Sequence, residues 1–162
     1  MHQAAFEWVR EHLPRGYESV LEVGSLDING GVRGLLDPNA TYLGIDPQPG
    51  PGVDVIADFT CYTHPTQVDL ILCLEVFEHT PKWRDLVAAA RRNLKESGTF
   101  IATCAAPGRP PHSARSEGPI QCDEWYANIP EDAMANELEK HFGWALLDIA
   151  GTDLRVIARP NE

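Results

Sequence analysis

The chain has 162 residues, 43% of them hydrophobic, and its 24 acids against 13 Lys and Arg give a net charge of −11. A chain of this length buries roughly 70% of its unfolded surface, so a single domain spanning residues 1–162 is expected. The negative balance repels phosphate backbones and anionic lipid, which argues against nucleic acid or a membrane as partner, and no run of roughly 20 apolar residues or signal-like leader appears.

In chain order, Phe6, Val9 and Leu13 fall at helical spacing, and Pro14 with Gly16 end that leading helix, within residues 1–16. SVLEV at 19–23 reads as a first strand opening directly into the loop GSLDINGG. A short helix near residues 31–36 stops at Asp37 and Pro38, and TYLGI at 41–45 makes a second strand. VDVIAD at 53–58 and VDLILCL at 68–74 read as the third and fourth strands. The link between them is too short for a crossover helix and predicts a shortened loop or single turn. Thr80 and Pro81 start the clearest helix, with Trp83, Leu86, Val87, Ala90 and Leu94 on one face before Gly98. TFIATC at 99–104 is the fifth strand, followed by a Pro-, Gly- and Ser-rich loop over 105–129, a length that marks functional loops. A helix over 130–142 carries Met134, Leu138 and Phe142, and WALLDIA and DLRVIAR across Gly151 and Thr152 form a closing hairpin.

Strands alternating with helices imply parallel pairing with right-handed crossovers, while a two-residue link joins antiparallel neighbours. The expected fold is therefore α/β: a Rossmann-like, doubly wound, seven-stranded and mostly parallel sheet with a C-terminal antiparallel hairpin strand. Cys61, Cys73, Cys104 and Cys122 show no C-x-x-C spacing and read as reduced thiols in a cytoplasmic protein, monomeric or homodimeric.

Ligands of such sheets sit beyond the carboxyl ends of the strands, where the strand order reverses. Glu22, Gly24, Asp46, Asp58 and Glu75 all fall at strand ends or just after them. Gly24, Asp27, Asn29 and Gly30 can turn the chain sharply and present backbone N–H groups. Leu26 occupies the second glycine position of a dinucleotide loop, so this loop suits an amino-acid moiety better than a diphosphate. Asp46 is placed to accept from ribose hydroxyls, as both NAD and S-adenosylmethionine (SAM) require. Asp58 is placed to accept from an adenine amino group, with the Phe59 N–H beside a ring nitrogen, and this second acid favours SAM.

VLEVGSLDINGG, YLGID, VIADFT and VDLILCLEVFEHTPKW, in that order and spacing, resemble the class I SAM-dependent methyltransferases, close to the type 11 group of bacteria and their phages. The resemblance covers residues 18–104. It implies that Glu22, Gly24 and the turn from Asp27 through Asn29 to Gly30 surround the methionine end of SAM, Asp46 the ribose, and Asp58 with Phe59 the adenine. Glu75 is implied near the methionine or the methyl-transfer side. S-adenosylhomocysteine (SAH) would be the product.

Methyl transfer from a sulfonium needs alignment and a dry site, and a base only where the acceptor must lose a proton. His79 and His112 are the candidates for it, because an unperturbed imidazole suits that work near neutral pH; Tyr126 is a third candidate, and Tyr126 and Asn128 are placed to hold substrate. Asp123, Glu124 and His112 lack a recognisable ligand spacing, so no metal is expected. The reading is a methyltransferase acting on an oxygen or nitrogen of a small molecule, a sugar or another metabolite, chosen by the loop over 105–129, the leading helix or a neighbouring subunit. A noncatalytic SAM-binding or partner-docking module, an NAD oxidoreductase, and a nucleic-acid or protein methyltransferase are the alternatives. CLEVFEH after strand four lacks the Asn/Asp-Pro-Pro-aromatic run of amino-directed nucleic-acid enzymes.

Overall fold

A computed structural model describes residues 3–116 and 118–160. Helix α1 (Gln3–His12) leads into β1 (Ser19–Val23), β2 (Thr41–Asp46), β3 (Val55–Ile56) and β4 (Val68–Leu74). Then follow α2 (Trp83–Asn93), β5 (Leu94–Ala105), α3 (Glu131–Leu138), β6 (Trp144–Ala150) and β7 (Asp153–Arg159). The seven strands form one sheet in the order β3-β2-β1-β4-β5-β7-β6. The pairs among β1 to β5 are parallel and both pairs made by β7 are antiparallel, so β7 alone runs backwards, as the hairpin predicts.

Successive side chains of a strand point to opposite faces, and this alternation divides the apolar residues into two cores. Leu21, Val23, Ile71, Cys73, Phe100 and Ala102 face α2 and α3, meeting Trp83, Leu86, Val87, Ala90, Met134 and Leu138. Val20, Leu70, Leu72 and Ile101 face the other way, under Trp8 and Val9 of α1 and under Val32 and Leu36. The buried stripe of α1 is Ala5, Trp8 and Val9, with Phe6 and Leu13 at its margin. The Trp8 ring stacks on His12 with centroids 4.6 Å apart.

Several boundaries differ from the sequence reading. The helix expected near 31–36 is a single 3-10 turn, Arg33–Leu35, and β3 shrinks to two paired residues at the sheet edge. Leu94, expected on the helix face, leaves α2 and pairs with Val68, after which the ladder resumes at Leu70 with Thr99. Residues 95–98 are the slack in that register shift. Gly98 stands where a Cβ would come within 2.7 Å of Leu94 Cδ1. The regular ladder therefore begins at Thr99 after all. Helix α3 ends at Leu138, and the chain turns on to Phe142, whose N–H still donates to the Leu138 carbonyl at 2.8 Å. The β3–β4 link is the expected single turn, Phe59–Cys61. Cys73 and Cys104 are buried thiols, and all four cysteines are unbridged. Among the described residues no helix is long and apolar enough to cross a membrane.

Candidate active site

The strand order reverses between β1 and β4, and the site opens beyond their carboxyl ends. At the end of β1 the chain bends through Gly24, at φ +73°, and its N–H donates to the Ile45 carbonyl at 2.9 Å. A Cβ on Gly24 would lie 2.3 Å from Val76 Cγ2, so the loop after β4 closes on it. The Asp27 N–H donates to the Pro51 carbonyl at 2.8 Å, and the Asp27 carboxylate accepts from the Gly30 N–H at 2.7 Å. Leu26, the departure from the glycine pattern, packs where a Cβ on Gly50 would fall, 2.4 Å from Leu26 Cδ1. Its side chain thus joins the first loop to the loop after β2, and Leu26 also lines the cavity.

Asp46, at the end of β2, is only 8% exposed and accepts from the Gln48 N–H at 2.8 Å. Burial raises its pKa, against the pull of the Gln48 and Leu26 N–H groups. Glu22 is likewise pushed up by burial, and the Tyr42 hydroxyl donates to it at 2.5 Å. Asp58 accepts from the Thr60 hydroxyl at 2.6 Å and pairs with Lys82 Nζ at 3.1 Å. The Thr60 hydroxyl and then Lys82, against a small burial penalty, hold its carboxyl below the usual range. Asp58 therefore caps a turn as well as facing the site, and a carboxylate has lone pairs enough for both.

Glu75 stands directly beyond β4 at φ +58°, a left-handed conformation that costs a side-chain-bearing residue roughly 1–2 kcal/mol. Its N–H donates to the Thr103 carbonyl at 2.7 Å, and its carboxylate pairs with Arg109, which also pairs with Asp153 at the start of β7. All three side chains are nearly buried. This triad ties the loop after β5 to the end of β4 and to the closing hairpin. Nothing in the sequence around Arg109 marked it, because its role depends on two acids distant along the chain.

Glu22, Gly24, Asp27, Asn29, Gly30, Asp46, Asp58, Phe59 and Glu75 all line one cavity of about 940 Å³. Lys82, Arg109, His79, His112 and Ser113 line it too. His79 meets His112 edge-on with ring centroids 4.9 Å apart, and Tyr126 packs against both, at 5.5 and 5.0 Å. The three residues singled out for catalysis thus form one cluster. Burial and then the His112 charge lower the His79 pKa to about 4, and burial with the Glu78 charge raises Tyr126 to about 12. Asn128 turns inward, its side-chain amide donating to the Arg109 carbonyl at 3.1 Å. Asp123 and Glu124 are spent inside the loop. Asp123 pairs with Arg115 at 2.7 Å, and Glu124 accepts from the Ser113 hydroxyl and from the N–H groups of Ala114 and Gln121. The acid that joins the histidines is instead Glu78, fully buried beneath them, which sequence spacing did not select.

A doubly wound sheet with acids on successive strand ends around one cleft defines an α/β protein built to hold a nucleoside at its switch point. Residues 21–102, just over half of the chain, match the family model described as a methyltransferase domain, so the chain belongs to that family and is a SAM-dependent methyltransferase. Among solved structures it is similar to a Burkholderia thailandensis 1,6-didemethyltoxoflavin-N1-methyltransferase with bound 1,6-didemethyltoxoflavin and SAH. The TM-score is 0.69 at 18% identity, covering 99% of this chain and 78% of that one. It is also similar to a putative SAM-dependent methyltransferase from Listeria monocytogenes, with TM-score 0.68, 15% identity, 99% of this chain and 100% of that one covered. The N-terminal domain of EvdMO1, solved with SAH and D-fucose, gives TM-score 0.67 at 18% identity, over 98% and 83% of the two chains. No curated protein matches the chain by sequence.

Proposed function

We propose that SAM lies across the ends of β1, β2 and β3, with its methyl group directed at a small-molecule oxygen or nitrogen acceptor held beneath residues 105–129. In this pose Glu22, Gly24, Asp27, Asn29 and Gly30 surround the methionine end, Asp46 takes the ribose, and Asp58 with Phe59 takes the adenine. Glu75 faces the methyl-transfer side, where His79, His112 and Tyr126 stand. One observation carries the reading: nine residues chosen for cofactor contact and two of the three chosen for catalysis line a single cavity.

The cavity's volume of about 940 Å³ is at the upper end of the roughly 300–1,000 Å³ usual for small-molecule sites, room for a nucleoside cofactor with a modest acceptor beside it. The B. thailandensis structure has 1,6-didemethyltoxoflavin bound with SAH, and the EvdMO1 domain was solved in the presence of SAH and D-fucose, which supports an acceptor of that size. The acceptor's lone pair forms the new bond to the methyl carbon as the S–CH3 pair returns to sulfur. The protein's task is to align the two and exclude water. Arg109, fixed between Glu75 and Asp153, would hold the acceptor loop in register with the sulfonium.

Calorimetric titration with SAH tests the reading. Binding is expected for the native chain, with a loss of about tenfold to a hundredfold for Asp46→Ala, the scale of a hydrogen bond to a charged group. Unchanged affinity in Asp46→Ala would remove the ribose assignment. Absence of SAH binding in the native chain would remove the proposed pose.

A further inference from the structure

We propose that Glu78, His79 and His112 form a divalent transition-metal site in the wall of the cavity, with an open position that a hydroxyl-bearing acceptor occupies. Only the role of that open position rests on the methyl-transfer reading above.

The geometry starts from Glu78, which is 0% exposed. One of its oxygens accepts from the Ala105 N–H at 3.2 Å, while Oε2 has no hydrogen-bond partner among the described residues. The adjacent His79 Nδ1 is also buried without a partner among them. Two such groups side by side are costly unless something binds them, because a buried polar atom without a partner forfeits its hydration. His112 completes the set from the loop above. One ligand atom from each of the three residues lies within 4.8 Å of the others. His112 Nδ1 is 3.3 Å from the Pro110 carbonyl, a contact of the kind that fixes a ligating imidazole's tautomer and leaves Nε2 its lone pair. Tyr126 packs edge-on against both rings and screens them.

The donor set selects the ion. One carboxylate oxygen and two imidazole nitrogens suit zinc, cobalt, manganese or iron, whereas magnesium and calcium prefer oxygen throughout. Three protein ligands with a vacant position describe a catalytic rather than a structural centre. Metal–nitrogen bonds of about 2.0–2.1 Å require the donors to close in somewhat from their present spacing, and His112, on a loop, can make that adjustment. His79 and His112 line the cavity and Glu78 lies behind them, so the vacant position faces the acceptor. Coordination there acidifies the acceptor's hydroxyl. Its proton leaves to solvent water, the oxygen lone pair forms the O–CH3 bond, and the S–CH3 pair stays on sulfur as neutral SAH. The acceptor class narrows to alcohols and phenols.

Cobalt(II) is the probe, titrated into the full chain by visible absorbance and calorimetry, with SAH titrated separately into the same samples. One equivalent of Co2+ is expected to bind with the intense band of a low-coordinate site. His112→Ala, on the loop, should lose affinity by about tenfold or more while keeping its thermal melt and SAH affinity. Phenol should shift the cobalt band. No Co2+ binding to the native chain, or native-level Co2+ affinity retained by His112→Ala and His79→Ala, overturns the site even where SAH binds normally. Co2+ binding lost in His112→Ala without any SAH binding would sustain the metal site and remove the methyl-transfer reading instead. A cobalt band unmoved by phenol overturns the open acceptor position.

Discussion

Gly24 and Glu75 share an unusual backbone at the two strand ends that flank the switch point, at φ +73° and +58°. At Gly24 the left-handed turn and the approach of Val76 both forbid a side chain, since a Cβ would stand 2.3 Å from Val76 Cγ2. Gly24→Ala should cost about 2–4 kcal/mol, the sum of the left-handed penalty and local overpacking, and should displace the loop that carries Asp27 and Gly30. A urea melt and an SAH titration check it: a variant with native stability and native affinity would show that the loop tolerates another path. The residue scale is also where the sequence was most legible. Acids and glycines that follow strands reach one cleft because the strands are parallel and end together. Arg109 and Glu78 escaped notice for the opposite reason. Their partners, Glu75 and Asp153 for the one and His112 for the other, lie more than twenty residues away and are set only by tertiary packing.

At the scale of elements, Asp69 shows how strand register is fixed from outside the ladder. Its carboxylate, on β4, accepts from the Glu18 and Ser19 N–H groups at 3.1 and 3.0 Å, from the Ser19 hydroxyl at 2.7 Å, and from Lys95 Nζ at 2.8 Å. It thereby pins the start of β1 and the irregular opening of β5 to β4. Burial raises its pKa, but Lys95, the Ser19 hydroxyl and the Glu18 N–H outweigh this and hold it below the ordinary value. A folded pKa below the unfolded one means that the stabilisation is fully present above the unfolded pKa and is lost as pH falls through the folded one. Asp69→Ala should therefore cost about 2 kcal/mol at neutral pH, and its deficit should shrink through the acid range below the usual Asp pKa. Thermal melts of both proteins across that range test this, and a constant deficit would assign the loss to packing alone. Nothing in VDLILCL announces this role, although the strand itself was plain from its apolar run. The hairpin strands at 144–150 and 153–159 appear as the sequence pattern predicts, because alternation and a two-residue turn are local signals. Helix ends at Asn93 and Leu138 were misjudged because apolar spacing continues past them, while Leu94 is claimed by its pairing with Val68.

For the molecule as a whole, the net charge of −11 bears on which form of the cofactor is favoured. Glu22, Asp27, Asp46, Asp58, Glu75 and Asp153 line the cavity against Lys82 and Arg109, so the site shares the excess of acid. SAM carries a net positive charge that SAH lacks, since the sulfonium becomes a neutral thioether on transfer. A cleft with low-dielectric walls focuses such a field, which favours the charged substrate on entry and releases the neutral product. Added salt screens the effect, with a Debye length falling from about 30 Å at 0.01 M to about 3 Å at 1 M. The ratio of SAM to SAH affinity should therefore fall by roughly threefold or more over that range, with SAH itself little changed. Parallel calorimetric titrations with the two ligands at each salt concentration measure the ratio directly. A ratio flat across salt would mean that discrimination comes from short-range contacts at the sulfur and that the acidic surface serves solubility alone.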